Sequence, residues 1–317
     1  MIVIQANDLD DAYRELLQLV LTVGREQPSR LGPTLDAGPV ALTIAPGPVK
    51  LLTNPGRAVN PALAIVEACW MLSGGSSVEP LAALAPAFLA FSDDGATLAG
   101  AYGERLRHRF GFDQLAAVAD HLREDPDSRR AFALIAEPED SRSRSRDVPC
   151  NIALMFRIAH ERVNMTVVNR SNDVIFGVPY DLFSLSLLHF AVCRTLGREM
   201  GEYLHISNSM HMYRANADLA ERSAVAPPAP LSPTTVQSHA FLEALVDNAA
   251  AIESLDFDRI GDGRLRALIA ASLSGRGTRA DLTGFGPNDW LGAMARRWAG
   301  RSRTSRVAGA DFGRDNR

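Results

Sequence analysis

Arg170-Ser171-Asn172-Asp173-Val174-Ile175-Phe176-Gly177-Val178-Pro179-Tyr180-Asp181 is the stretch from which the fold is read. Its first four residues are polar. Its last ones run into a long apolar segment, Tyr180 to Leu196, that reads as a helix stopping near Gly197. Immediately upstream, Ile152–Ile158 and Arg162–Val168 have strand character and can pair through a turn at Ala159-His160-Glu161. Strands and helices mix without strict strand–helix alternation, which predicts an α+β domain rather than a doubly wound sheet.

Working outward, residues 8–27 read as an amphipathic helix capped by Asp8. Residues 38–53 read as strands interrupted by Pro46-Gly47-Pro48. Asn60 to Leu72 reads as a second helix with Pro61 in its first turn, ended by Ser73-Gly74-Gly75. A third helix is expected over 113–124, then a turn at Asp125-Pro126-Asp127-Ser128 and a strand from Arg130 to Ala136. Ser141 to Arg146 alternates serine and arginine and reads as a mobile loop. Ala226-Pro227-Pro228-Ala229-Pro230 through Pro233 reads as a connector, followed by helices near 235–254 and 263–274. The expected division is a catalytic core over 1–225 and a helical C-terminal region over 226–317 with an arginine-rich tail (Arg296, Arg297, Arg301, Arg303, Arg306).

The chain has 317 residues, 46% hydrophobic and 22% charged, with a formal net charge of -4. Such a balance gives no global attraction to nucleic acid or to an anionic membrane. Neither partner is expected. Cys69, Cys150 and Cys193 form no disulfide framework and have no metal-ligand spacing, so no metal is expected and a reducing cytoplasm is the expected setting. The first eight residues lack a basic region followed by a long apolar run, so no signal peptide is expected. No charge-free apolar run is long enough to span a bilayer.

Three groups stand out chemically. Cys150 follows Pro149 and precedes polar Asn151 where a loop enters a strand, a place where a thiol can face a cleft. Cys69 and Cys193 lie inside apolar helices, where cysteine is ordinarily a small buried hydrophobe. Arg170-Ser171 joins a guanidinium to a hydroxyl, a pairing suited to phosphate and able to lower a nearby thiol's pKa. Asp181 is either a binding carboxylate or the N-cap of the helix it opens.

Seven blocks in order, from Arg30 to Tyr213, resemble the thymidylate synthase family. Arg30 with Gly32 is similar to a phosphate-binding loop. Val66-Glu67-Ala68-Cys69-Trp70-Met71-Leu72-Ser73-Gly74 resembles the helix bearing a catalytic glutamate, here Glu67. Tyr102-Gly103 is similar to the tyrosine that orders water. Ser128-Arg129-Arg130 resembles the arginines that reach a neighbouring subunit's phosphate. Pro149-Cys150 resembles the nucleophile segment. The stretch from Arg170 to Tyr180 is similar to the longest motif, and His211-Met212-Tyr213 to the pair that holds the sugar hydroxyl. The resemblance implies an α+β fold with a mixed β-sheet and flanking helices, a sheet-mediated homodimer, a pyrimidine nucleoside monophosphate as substrate, and 5,10-methylenetetrahydrofolate as co-substrate. It implies Cys150, Glu67, Tyr102, Asp181 and Asp173 as catalytic groups. Arg30, Arg129, Arg130, Arg170, Ser171, Asn151, Asp181, His211 and Tyr213 would bind the nucleotide. Asp173, Gly177, Tyr180, Phe88 and Phe91 would face the folate.

Departures from the pattern refine the expectation. Asp181 stands where synthases carry asparagine. Uracil offers an N3 donor and an O4 acceptor, which an amide matches. Cytosine offers an N3 acceptor and an N4 donor, which a carboxylate serves when a proton is shared with N3. The same substitution marks the family's cytidylate hydroxymethylase branch. Asn151 replaces the histidine that usually follows the nucleophile, which fits a different group at C4. The Phe88–Phe91 region and the C-terminus match the family only loosely. The expectation is hydroxymethyl transfer to C5 of dCMP ahead of CMP. The alternatives are a dCMP or dUMP methylase using hydride transfer, and a nucleotide-binding homologue without catalysis.

Overall fold

In a computed structural model, residues 1–47, 51–227, 239–273, 285 and 290–299 are described. Most of the expected connector and the tail arginines at 301, 303 and 306 lie outside the described residues. The strands are β1 (Ile2–Ala6), β2 (Arg25–Gln27), β3 (Thr34–Asp36), β4 (Val40–Ile44), β5 (Phe132–Leu134), β6 (Asn151–Ala159), β7 (Arg162–Asn169), β8 (Asn172–Asp173), β9 (Glu199–Ser207) and β10 (Met210–Tyr213). The helices are α1 (Leu9–Val23), α2 (Pro61–Ser73), α3 (Glu79–Leu84), α4 (Tyr102–Glu104), α5 (Gln114–Glu124), α6 (Val178–Leu196), α7 (Ala217–Ala224), α8 (His239–Glu253), α9 (Gly263–Leu273) and α10 (Trp290–Ala299).

Six strands form a mixed sheet in the order β1-β4-β9-β7-β6-β5, and four short ones a second sheet in the order β2-β3-β10-β8. In the large sheet β1–β4 and β7–β9 run parallel, while β4–β9, β6–β7 and β5–β6 run antiparallel. Ala133, Leu154, Phe156, Val163, Met165 and Val167 are buried toward the helices. The other face carries Phe132, Met155, Thr166, Leu204, Thr43 and Gln5 in one cross-strand row. On that uncovered face Val3, Phe132, Leu134 and Met155 are exposed.

α2 and α6 are apolar nearly all round, as suits helices enclosed by others. α2 is buried from Pro61 to Leu72 except at Glu67. Asn60 caps it, its Oδ1 accepting from Ala62 N at 3.1 Å and Leu63 N at 3.3 Å. α8 and α9 add Leu242, Leu245, Ile252, Leu265, Leu268 and Ile269 to the same core.

Several boundaries differ from expectation. α1 stops at Val23 because Gly24 turns the chain, where a Cβ would sit 2.3 Å from Val20 O. Arg25–Gln27 then pairs with Thr34–Asp36 instead of continuing the helix. The β6–β7 turn is made by His160 and Glu161 at φ 51° and 62°, the left-handed conformation that a tight hairpin needs and that glycine usually supplies. Asp181 is not the cap of α6: the helix starts at Val178 with Gly177 at its N-cap. The Ser141–Arg146 loop, expected to be mobile, is tied to Asp93, which accepts from Ser145 Oγ at 2.5 Å and Arg146 Nε at 3.2 Å.

Candidate active site

The site sits at one end of the large sheet. There β6 begins, β7 ends at Asn169 opposite Asn151, and β9 ends at Ser207 opposite Asn169. Cys150 therefore emerges beside Arg170 and Ser171. β8 pairs with β10 so that Asp173 lies across from His211. α2 brings Glu67 to the cavity and the first turn of α6 brings Asp181. The cavity is about 890 Å³ and is lined by Arg30, Glu67, Phe88, Phe91, Tyr102, Cys150, Arg170, Ser171, Asp173, Gly177, Tyr180, Asp181, His211 and Tyr213. Two expected groups do not line it. Asn151 is fully buried behind the wall, beside the Tyr102 hydroxyl. Arg129 and Arg130 are exposed just before the edge strand β5.

The Cys150 thiol is 3.8 Å from Ser171 Oγ. Burial pushes its pKa up, and the nearby Arg170 guanidinium opposes this without cancelling it. Arg170 thus lowers the thiol's pKa as expected, but desolvation is the larger effect and the net shift is upward. Arg170 clamps the loop that leads to Cys150, donating from Nε to Pro149 O at 2.9 Å, from Nη2 to Val148 O at 2.9 Å and from Nη1 to Ser171 Oγ at 3.3 Å. Two of its five N–H groups remain for an anion.

Burial also raises the carboxyls. Glu67 is pushed up to about 8 by desolvation and then by Asp181. Asp181 is pushed up to about 7 by desolvation, opposed by a hydrogen bond from Asn172. Tyr102 lies well above the usual phenol range through burial, with Asp181 and Cys150 adding to it. Asp173 is raised by burial while its Oδ1 accepts from Ile175 N at 2.7 Å.

Asp181 Oδ2 accepts from Asn172 Nδ2 at 3.0 Å. The same amide reaches His205 Nε2 at 3.1 Å, and Asn169 Nδ2 reaches that nitrogen at 2.5 Å. Two amide donors make Nε2 an acceptor, so Nδ1 carries the proton and donates to the Tyr203 hydroxyl at 3.0 Å. Burial lowers the His205 pKa to about 3, so the ring is neutral. This chain of groups fixes Asp181 Oδ2, and Oδ1 takes no hydrogen bond from the described residues.

His211 and Tyr213 stand edge to face with ring centres 5.8 Å apart. His211 is braced by Ser209, whose Oγ donates to Asp36 Oδ2 at 2.6 Å. Arg57, 4% exposed, lies under Phe176 and Tyr180 at 5.4 and 5.8 Å and donates from Nε to Ile175 O at 2.8 Å. Leu63, Leu81, Leu84 and Trp298 of α10 complete an apolar wall. Sequence reasoning missed Arg57, Asn172 and Trp298 as site residues. Arg57 sits in a turn with no motif around it, and Trp298 joins the wall through packing over a long sequence separation.

The family model described as Thymidylate synthase matches residues 11–251. The chain belongs to the thymidylate synthase family. Within it, the chain is 35% identical over 217 residues to a protein named deoxyuridylate hydroxymethyltransferase from Pseudomonas phage M6, covering 67% of this chain and 62% of that one. It is 32% identical over 215 residues to a protein of the same name from Bacillus phage SP01, covering 63% of this chain and 56% of that one. A third relative so named, from Delftia phage PhiW-14, is 31% identical over 180 residues, covering 53% of this chain and 50% of that one. The chain thus spans less than two thirds of the length of these relatives. Among the described residues no helix is long and apolar enough to cross a membrane, and no cluster of His, Cys, Asp and Glu could hold a metal ion.

Proposed function

We propose that this member of the thymidylate synthase family transfers a hydroxymethyl group to C5 of a cytidine monophosphate, with dCMP ahead of CMP. The observation that carries the reading is that a thiol, Cys150, and a carboxyl pair, Asp181 and Glu67, meet in one cavity at the end of the sheet. The apolar wall of Leu63, Leu81, Leu84, Phe88, Phe91 and Trp298 fits the flat ring system of methylenetetrahydrofolate beside a nucleotide. When bound, that co-substrate supplies a one-carbon unit at the oxidation level of formaldehyde.

Arg30, Arg170 and Ser171 hold the phosphate, and His211 and Tyr213 hold the sugar hydroxyl. Asp181 delivers its proton to N3 and, as a carboxylate, accepts from both N3–H and N4–H. Protonation draws electron density from the ring and opens C6 to the Cys150 thiolate. C5 then carries the electron pair that captures the one-carbon unit. Glu67, neutral at pH 7, donates and recovers protons with Tyr102 close by. Asp173 anchors the turn between Arg170 and α6 and, with Gly177 and Tyr180, faces the folate. Water addition at the new exocyclic carbon gives the hydroxymethyl product.

A second reading, deoxyuridylate as substrate, is favoured by the names of the phage relatives. A neutral Asp181 offers one donor and one acceptor, which match O4 and N3–H of uracil. Incubation with methylenetetrahydrofolate and each of CMP, dCMP, UMP and dUMP, followed by product mass, separates the readings. The proposal expects a CH2O gain on dCMP. A CH2O gain confined to dUMP supports the second reading, and a CH2 gain with dihydrofolate means a methylase.

The proposal includes a homodimer joined through the uncovered face of the large sheet, where Val3, Phe132, Leu134 and Met155 are exposed. Arg129 and Arg130, at the edge of that face, would complete the phosphate site of the partner subunit. Residues 1–225 would carry the catalytic groups, with 226–317 as supporting helices. Three free cysteines fit a cytoplasmic setting.

A further inference from the structure

The mechanism leaves one carboxylate of the cavity unused. Five carboxyl groups line it: Asp36, Glu67, Asp147, Asp173 and Asp181. Asp36 is spent on both oxygens, accepting from Gly38 N at 2.7 Å and Ser209 Oγ at 2.6 Å. Asp181 reads the base, Asp173 is tied to Ile175, and Glu67 is neutral at pH 7. Asp147 differs from all of these. It stands three residues before the nucleophile, on the loop that Arg170 clamps. Its Oδ2 accepts from Gly100 N at 2.7 Å, and its Oδ1 takes no hydrogen bond from the described residues. The packing behind it is tight. A Cβ on Gly100 would lie 3.0 Å from Asp147 O, 3.0 Å from Pro149 N and 3.1 Å from Asp147 Oδ1. The carboxylate is therefore held against a fixed backbone, with one oxygen available, close enough to Cys150 to be felt electrostatically.

We propose that Asp147 is the general base for the water that attacks the exocyclic methylene of the nucleotide adduct, and so the residue that commits the reaction to hydroxymethyl. This rests on the hydroxymethyltransferase reading above. In the step, water oxygen bonds to the exocyclic carbon and its proton passes to Asp147 Oδ1. The electron pair of the exocyclic double bond moves into the ring, C5=C6 re-forms, and the C6–S bond breaks to return Cys150 as thiolate. One negative charge enters on Asp147 and one leaves on sulfur, so charge and atoms balance without an oxidant or reductant. The division of labour is geometric: Glu67, pushed up to about 8 by burial, is the proton donor of the cavity, and Asp147, which burial also raises while the Gly100 N–H, Arg105 and Arg170 draw it back against Asp93, is the acceptor through its open Oδ1.

The test uses the full-length protein with dCMP, or with dUMP if that proves to be the substrate, labelled with tritium at C5. Loss of tritium reports every step up to one-carbon transfer, and product mass reports the water step. Asp147→Asn keeps an acceptor for Gly100 N, and Asp147→Ser is a second variant should the first not fold. Expected is tritium release within a few-fold of the parent with hydroxymethyl formation lower by about a hundredfold or more. A small thiol added as its thiolate, which needs no base, should then be captured as a thioether product. Hydroxymethyl formation within about twofold of the parent overturns the assignment. So does an equal fall in tritium release and hydroxymethyl formation, which would mean Asp147 acts before the water step or only structurally. A parent that yields methyl product and dihydrofolate, or releases no tritium, instead overturns the function on which the inference rests.

Discussion

Glu67 and Asp181 line one cavity; burial and then the Asp181 charge raise Glu67, while burial and the Asp173 charge raise Asp181. A carboxyl whose pKa is raised on folding binds its proton more tightly in the native state, so stability is fully present below the unfolded pKa and declines as pH rises toward the folded one. For Glu67 the window runs from its ordinary 4.5 to about 8. Melting temperature of the parent is expected to fall across that window more steeply than that of Glu67→Gln, which carries no charge to bury. Parallel curves would contradict the burial argument. Asp181→Asn removes the proton that the proposed mechanism delivers to N3 and is expected to lower kcat/KM for dCMP by about 10²- to 10⁴-fold while gaining on dUMP. At this scale the sequence was legible where residue type and chemistry coincide: Cys150, Glu67, Asp181, His211 and Tyr213 line one cavity. It was not legible where burial decides. The upward shift of the Cys150 thiol and the enclosure of Asn151 both depend on how many atoms surround them, which a dipeptide does not show.

Elements hold those residues in place. Gly177 lies where a Cβ would sit 2.4 Å from Asn172 Oδ1 and 3.0 Å from Asp173 O. Gly177→Ala must push Asn172 away from Asp181, so turnover is expected to fall more than stability, read as kcat against denaturant midpoint. An equal loss of both would reduce the residue to a packing role. Asn60→Ala removes the cap of a buried helix and is expected to cost about 1–2 kcal/mol in denaturant unfolding. The helices were legible because their caps and apolar runs are local: Asp8, Asn60, Asp113 and Gly197 stand at observed ends. The C-terminal end of α1 and the β2–β3 pairing were not, since a strand partner ten residues away competes with helix propensity.

At the scale of the molecule, the β6–β7 hairpin and the buried α6 were legible from local pattern, whereas the parallel pairings β1–β4 and β7–β9 that make the sheet mixed were not, because they join strands far apart in the chain. The packing of α8 to α10 onto α2 was not legible either, because those contacts join segments well over a hundred residues apart. The uncovered sheet face sets a whole-molecule prediction. Arg129→Ala/Arg130→Ala chains and Cys150→Ala chains, each impaired alone, should regain partial activity when mixed, up to about a quarter of the parent if hybrid dimers form at random. Demonstrated heterodimers without recovery would exclude shared sites. The central claim is that Cys150 and Asp181 act on the same pyrimidine ring, and folate-dependent release of tritium from C5 of labelled dCMP and dUMP tests it most directly. The account predicts release from dCMP by the parent, none by Cys150→Ala, and a shift toward dUMP in Asp181→Asn. Release by Cys150→Ala at the parent's rate, or an unchanged base preference in Asp181→Asn, would contradict it.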